Sequence, residues 1–392
     1  MTRRRIVLVT GPDAGHAFPI IGLAVALRDR GHEVHVGSGS GNRSFIEGED
    51  LGYLDLPLLA PTPGDADIAH RIWNRAAEMA PPLADLIDER VGRPDIVISD
   101  TLTRAGAWAA DLLAVPWVEM VPHHLVHVSD DLPPHGLGLR PSRAPWRRWN
   151  DARIRAAQRA SRAQGWDAAR AARRRIGLDG LSQPRSTLVC AVPAIEPPRS
   201  DWPEGTYLVG SMGWEPPWGP LEPPPGTEPL VLVTDSTAST VESSVAAAAL
   251  DGLEHAGVRV VVTSTRHDLQ PWGNGRSVVG RSAHGPLLAH ASVAVGPGGG
   301  GFVAKALTAG VPLVTVPLMG DQRETAGRLR SAGLGLSLRP GNLRPGSLRR
   351  AVLRVLADDR FGRNAQRAAR YASELGPEVA ADLVESVVGG GS

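Results

Sequence analysis

One cysteine, one lysine and no long apolar run set the first limits on this 392-residue chain. A single cysteine, Cys190, excludes an internal disulfide framework and suits a reducing compartment. Its ordinary reading is a small buried apolar side chain. Lys305 is the only lysine, and arginine supplies the other permanently basic side chains. That bias points to a GC-rich genome and not to a mechanism. Charges of the two signs nearly cancel: the formal net charge is +1, which gives no global attraction to nucleic acid or membrane. The N-terminal MTRRRIVLVTGPDAGH holds only a short apolar stretch before Gly11, shorter than a signal peptide or a membrane span needs. A cytoplasmic protein that binds no nucleic acid is the expectation.

Glycine and proline, by contrast, are plentiful and unevenly placed. The most informative stretch, Ser292 to Gln322, reads SVAVGPGGGGFVAKALTAGVPLVTVPLMGDQ. Ser292–Gly296 is a short apolar strand. Gly298, Gly299, Gly300 and Gly301 follow, then a helix from about Phe302 to Gly310 and a strand Leu313–Pro317. Glycines at a helix start let backbone N–H groups approach an anion such as a diphosphate, and the helix dipole favours the charge. A glycine-rich turn that only packs its helix on the sheet has the same sequence signature. Asp321 and Gln322 follow the second strand, where they are placed to bond sugar hydroxyls.

The length predicts two domains. Ile6–Val9 reads as a buried strand. Pro19 suits a first helical turn, and Ile20, Leu23, Ala24 and Leu27 form the apolar face of a helix that Gly31 ends. His32–Val36 is the next strand, so a βαβ unit places its ligand loop at Gly11–His16. Another strand, Ile96–Ser99, leads into Asp100 and a helix over Ala105–Leu113. Prolines crowd 197–229, the signature of a linker. Alternating elements resume with a strand Leu230–Thr234, a helix to about His255 and a strand Val258–Thr263. The expected organisation is an N-terminal Rossmann-like domain 1–200, a linker 201–228, a C-terminal Rossmann-like domain 229–378 and a terminal helix and tail 379–392. Two such halves imply a cleft between them.

The segment Arg140–Arg175 stands apart. It carries twelve arginines against Asp151 and Asp167, with Trp146, Trp149 and Trp166 interleaved. It reads as helical, and a solvated surface helix is the plain interpretation. An anionic acceptor or weak contact of residues 140–175 with an anionic lipid surface is the sharper one.

His16, in Gly15-His16-Ala17-Phe18-Pro19, follows the first strand and can act as a general base facing the cleft. Asp100 ends a strand of the same half. A carboxylate bonded to one imidazole nitrogen fixes the tautomer and stabilises the imidazolium. Helix capping is the competing role for Asp100.

Together these blocks resemble the family 1 glycosyltransferases of the GT-B fold, nearest to bacterial enzymes that glycosylate macrolides, enediynes and other natural products. The matching segments are GHAFPIIGLAVALRDRGHEV, then YLVGSMGWEPP with PLVLVTDST, then HGPLLAHASVAVGPGGGGFVAKALTAGVPLVTVPLMGDQRETAGRLRSAGLGLSL. The likeness is weakest over 40–90 and 130–185, the expected acceptor side. It implies an α/β chain of two Rossmann-like domains facing each other across a cleft. It also implies inverting transfer of a sugar from a nucleoside diphosphate, TDP- or UDP-linked, to a small acceptor, with no metal or other cofactor. By resemblance, His16 takes the acceptor proton and Asp100 orients it. Gly298–Gly301 hold the diphosphate with Ser236 and Thr237 nearby. Arg281, Ser282 and His284 fall in the base-contact segment, and Asp321 and Gln322 bind the sugar. The quaternary expectation is a monomer or a homodimer.

The chain departs from the family pattern at four places. Pro297 and Phe302 replace the usual histidine before the glycine run and the hydroxyl residue after it. Lys305 stands where a glutamate is common, and Arg281 replaces a tryptophan. Arg281 and His284 are the candidates for the missing positive charge. A degenerate GT-B protein and a nucleotide-sugar epimerase remain alternative readings.

Overall fold

The computed structural model describes residues 2–56, 68–235, 245–264 and 268–389. They form two parallel α/β halves. The first half runs β1 (Arg5–Val9), α1 (Ala14–Asp29), β2 (Glu33–Ser38), α2 (Arg43–Glu47), β3 (Gly52–Asp55), α3 (Ile68–Arg90), β4 (Ile96–Asp100), α4 (Ala105–Leu112), β5 (Trp117–Val121), α5 (Pro145–Arg174), β6 (Thr187–Val189) and β7 (Thr206–Leu208). The second runs β8 (Leu230–Thr234), α6 (Val245–Leu253), β9 (Arg259–Thr263), β10 (Ser277–Gly280), α7 (His284–Leu288), β11 (Val293–Gly296), α8 (Gly300–Thr308), β12 (Leu313–Thr315), α9 (Gln322–Ser331), β13 (Gly335–Ser337), α10 (Pro345–Ala357) and α11 (Asp359–Ala372). The chain closes with α12 (Pro377–Gly389).

Among the described residues every strand pair is parallel, in the orders β3-β2-β1-β4-β5-β6-β7 and β10-β9-β8-β11-β12-β13. Parallel sheets need helices on both faces, and the strand sequences are apolar on both sides accordingly. Ile6 and Leu8 enter one buried cluster and Val7 and Val9 another. Val231 and Val233 likewise part from Leu230 and Leu232. This is the period-2 alternation of a strand buried on both faces. In each sheet the strand order reverses between neighbours, β1 with β4 and β8 with β11. Ligands bind outside the carboxyl ends of strands at such switch points. The two α/β halves and their facing cleft are the architecture expected of a GT-B chain.

Two boundaries differ from those read in the sequence. Thr206–Leu208, expected inside the linker, pairs with β6 as the edge strand of the first sheet. The proline-rich composition hid a three-residue strand too short to show alternation. The terminal helix begins at Pro377 and packs back on the first half: Ala380, Ala381 and Val384 join the cluster of α1. Arg30 fixes this return through bonds to Glu378, Asp382 and Glu385. Each half therefore draws on chain segments far apart in sequence.

The long basic helix is present as α5. Trp146 and Trp149 near its start are 68% and 63% exposed, under Arg147 and Arg153. No helix among the described residues is long and apolar enough to cross a membrane.

Candidate active site

His16 and Asp100 meet because β1 and β4 are neighbours at the switch point. In the register Val9 lies opposite Ser99, so both chains leave the sheet side by side. His16 sits in the first turn of α1 and not in the preceding loop as expected. The helix starts early because the Asp13 carbonyl accepts the N–H groups of His16 and Ala17, both at 2.9 Å. Pro19 then falls inside the helix, where it leaves one carbonyl without its usual partner.

His16 Nδ1 bonds Asp100 Oδ1 at 2.7 Å. Asp100 is 1% exposed. Its Oδ2 accepts from Leu102 N at 3.2 Å, Thr103 N at 3.1 Å and Thr103 Oγ1 at 3.0 Å. The capping role and the orienting role are thus filled by different oxygens of one carboxylate. Burial by itself raises the Asp100 pKa, but the His16 charge and these four bonds outweigh it and hold the carboxylate below its usual value. Burial lowers the His16 pKa, but Asp100, with Asp13 and Asp321 after it, outweighs this, so the imidazole titrates above its ordinary value. Nε2 is left for the cleft.

A cavity of about 530 Å³ lies between the halves and brings most of the expected residues together. His16, Asp13 and Trp214 line one side. Gly299, Gly300, Gly301, Asp321 and Gln322 line the other. The glycine run is built by specific demands. Gly298 has φ +93°, which favours glycine. A Cβ on Gly300 would stand 3.1 Å from Pro122 O and 3.2 Å from His123 Cβ, atoms of the opposite half. Gly299 and Gly301 face open space. Gly300 begins α8, two residues earlier than expected, and Gly299–Gly301 at this helix start line the cavity.

Asp321 precedes α9, and its Oδ2 is buried without a hydrogen-bond partner among the described residues. A buried acceptor left open in this way suits a ligand donor. The Gln322 side chain instead secures its own loop, its Oε1 accepting from Leu318 N at 2.8 Å and Met319 N at 3.1 Å.

The base-contact segment behaves differently from expectation. Arg281 is exposed and does not line the cavity. Ser282 is buried, and its Oγ accepts from Leu221 N at 3.0 Å, fixing the linker. His284 does line the cavity, but it carries no charge there at neutral pH. Burial and then the Lys305 charge push its pKa down to about 4. Its ring bonds Thr263 Oγ1 at 2.9 Å and packs edge-on against Phe302. Lys305 also lines the cavity, and its Nζ bonds Glu215 Oε1 at 2.9 Å and Trp214 O at 3.1 Å. Glu215 also accepts the N–H groups of His284 and Gly285, both at 2.8 Å. The sequence held a signal for this, the sole lysine standing one helical turn after the glycine run, but its linker partner is 90 residues away. Ser236 and Thr237 lie outside the described residues.

His123, from the loop after β5, was not singled out in the sequence. Its ring centroid lies 6.2 Å from that of His16, edge-on. Cys190 is buried beside this site, and burial, then Asp100, pushes its thiol pKa well up, which keeps it inert.

Residues 247–386 match the family model described as erythromycin biosynthesis protein CIII-like, C-terminal domain. The chain is 28% identical to 4'-demethylrebeccamycin synthase of Lentzea aerocolonigenes, over 98% of this chain and 99% of the relative. It is 27% identical to O-mycaminosyltylonolide 6-deoxyallosyltransferase of Streptomyces fradiae, over 97% of each. Among solved structures, the glycosyltransferase of kitacinnamycin superposes with a TM-score of 0.79 at 21% identity, covering 98% of this chain and 99% of that one. The glycosyltransferase VinC in complex with DTDP superposes with a TM-score of 0.71 at 21% identity, covering 99% and 100%. These likenesses agree with the resemblance read from the sequence motifs, and the solved structures share the GT-B fold.

Proposed function

We propose that this chain, a GT-B glycosyltransferase of the hexosyltransferase type, moves a sugar from a nucleoside diphosphate to a small natural-product acceptor by a single inverting displacement. The observation that carries this reading is the His16–Asp100 pair opening on the same cavity as the glycine-led start of α8. Asp100 accepts the Nδ1–H of His16, so Nε2 is unprotonated and takes the acceptor's proton. The deprotonated acceptor atom attacks the anomeric carbon. The bond from that carbon to the diphosphate oxygen breaks, and the anomeric configuration inverts. The leaving diphosphate is held by the N–H groups at Gly299–Gly301, the α8 dipole and Lys305. Pro297 contributes no donor, so Lys305 takes over the charge the family places before the glycine run. Asp321, with its open Oδ2, accepts from sugar hydroxyls. His284 Nδ1 and the strap residues Trp214 and Glu215 border the nucleoside end. A TDP-linked donor is the favoured choice, because the nucleotide bound to the similar VinC fold is DTDP.

The test is transfer from TDP-hexoses to a panel of aromatic and macrolide acceptors. Product with inverted anomeric configuration, lost in His16→Ala, supports the reading. Retained configuration, or a His16→Ala variant as fast as wild type, overturns it.

A further inference from the structure

A second cavity, of about 1020 Å³, runs under α5 along β5, β6 and β7. Leu102 and His123 line both this cavity and the one at His16. It therefore opens beside the candidate base, on the opposite side from the glycine run. Resting on the reading of His16 as that base, we propose that this cavity takes a planar aromatic acceptor that carries an anionic group, bound by Arg162.

The aromatic part follows from the walls. Four of the ten tryptophans, Trp73, Trp108, Trp117 and Trp166, face this space. Trp73 and Trp108 are stacked at 6.0 Å with an 8° interplanar angle, and Trp166 leans on Trp73 at 5.7 Å. Flat rigid walls of this kind favour a flat ligand over a flexible aliphatic one.

The anionic part follows from charge that is left over. Four arginines line the cavity, and one of them, Arg185, is solvent-exposed. Arg104 is paired with Glu119 at 2.6 Å, and Thr101 Oγ1 also donates to Glu119 at 3.0 Å. Arg173 is paired with Asp111 at 2.6 Å and donates to Gly180 O at 2.8 Å. Arg162 has no carboxylate within ion-pair distance among the described residues. Its Nη1 donates only to Val126 O at 3.3 Å, and its guanidinium lies 5.9 Å from the Trp166 ring centre. Two of the lining histidines, His127 and His135, do not add to this charge: burial lowers their pKa values, the latter to about 4. A guanidinium fork beside an aromatic face suits a carboxylate or an acidic phenol on an aromatic ring. The arginine richness of α5 thus has a specific use at one position, whereas its Arg147 and Arg153 cover exposed tryptophans outside the cavity.

The test is calorimetric titration of the full chain with anthracene-2-carboxylate and with anthracene-2-carboxamide, a neutral probe of the same shape. Wild type is expected to bind the carboxylate about 10–100-fold more tightly, the scale of one charge-assisted pair. Arg162→Gln removes that preference while the amide affinity stays as it was, and Arg162→Lys restores part of it. Equal affinities in wild type, no binding of either probe, or a preference that survives Arg162→Gln would each overturn the proposal. TDP titrated into the same proteins separates the two readings. TDP binding without any carboxylate preference sinks this inference alone. Carboxylate binding without TDP binding sinks the proposed donor site and leaves the cavity assignment standing.

Discussion

Replacing Asp100 by asparagine changes one atom and reverses a proton. Three donors, Leu102 N, Thr103 N and Thr103 Oγ1, converge on Oδ2, while Oδ1 faces His16 Nδ1 at 2.7 Å. Asparagine satisfies the three donors only by turning its carbonyl oxygen to them. Its NH2 then meets Nδ1, which must become an acceptor. The ring proton moves to Nε2, the atom that faces the cleft, and the imidazole can no longer take a proton there. The expected loss in kcat is about 10³–10⁴-fold, or ~4–5.5 kcal/mol of barrier. A second readout comes from pH. Asp100 holds the His16 pKa above its ordinary value. The neutral imidazole is the active form, so wild-type kcat/KM is low below that raised pKa and climbs through it. With Asp100→Asn the remaining limb shifts to lower pH. Stability moves too. Asp100 has a depressed folded pKa, so its contribution is present above the unfolded value and lost as pH falls. Asp100→Asn is therefore destabilised at neutral pH, by about 1.5–3 kcal/mol for the lost charge-assisted bonds, and less so in acid. Steady-state rates across pH with denaturant melts of both proteins provide the assay. A variant within about threefold of wild type, with an unmoved pH limb, would refute the argument.

Further outcomes are expected from the same geometry. His16→Ala should lower turnover by roughly 10²–10⁴-fold and leave nucleotide affinity unchanged, measured by steady-state kinetics beside calorimetry; unaltered turnover would move the base to Asp13. Asp321→Ala should weaken an intact donor more than the free nucleoside diphosphate, because its open oxygen faces the sugar; equal losses would remove that assignment. Glu215→Gln should tighten nucleotide binding about threefold or more at low salt by releasing Lys305 from its partner; weaker binding would mean that the carboxylate itself holds the ligand. Gly300→Ala should press on Pro122 and His123 of the other half and lower kcat by holding the cleft apart, which rates and small-angle scattering of the variant would check.

The fold was legible wherever chemistry is local. Buried runs such as Ile6–Val9 and Leu230–Thr234 declare parallel strands, and the unbroken Gly298–Gly301 declares a close backbone approach. That His16 and Asp100 come together was legible because His16 follows β1, Asp100 ends β4, and strand ends at a switch point converge. What was hidden depends on contacts distant in sequence. Glu215 reads as one residue of a proline-rich linker, yet it pairs with Lys305 from α8. The adjacent Trp214 packs on Phe18 and donates to Glu49 of the first half, so two neighbouring residues hold both halves. His284 looked like a cation because burial is invisible in a single sequence. Arg281 looked like a base contact by alignment to a motif whose tryptophan it lacks. Arg162 was one of twelve arginines in its segment, and it stands out only beside the carboxylate-paired Arg104 and Arg173 and the exposed Arg185.

The central claim is a working donor site built from Gly299–Gly301, Lys305 and Asp321 despite Pro297. Calorimetric titration of the wild-type chain with TDP, UDP and GDP, alongside Pro297→His, tests it most directly. Saturable one-to-one binding of TDP or UDP by the wild type is the predicted result. Binding by none of the three, with affinity appearing only in Pro297→His, would contradict it and mark a protein whose donor site has been lost.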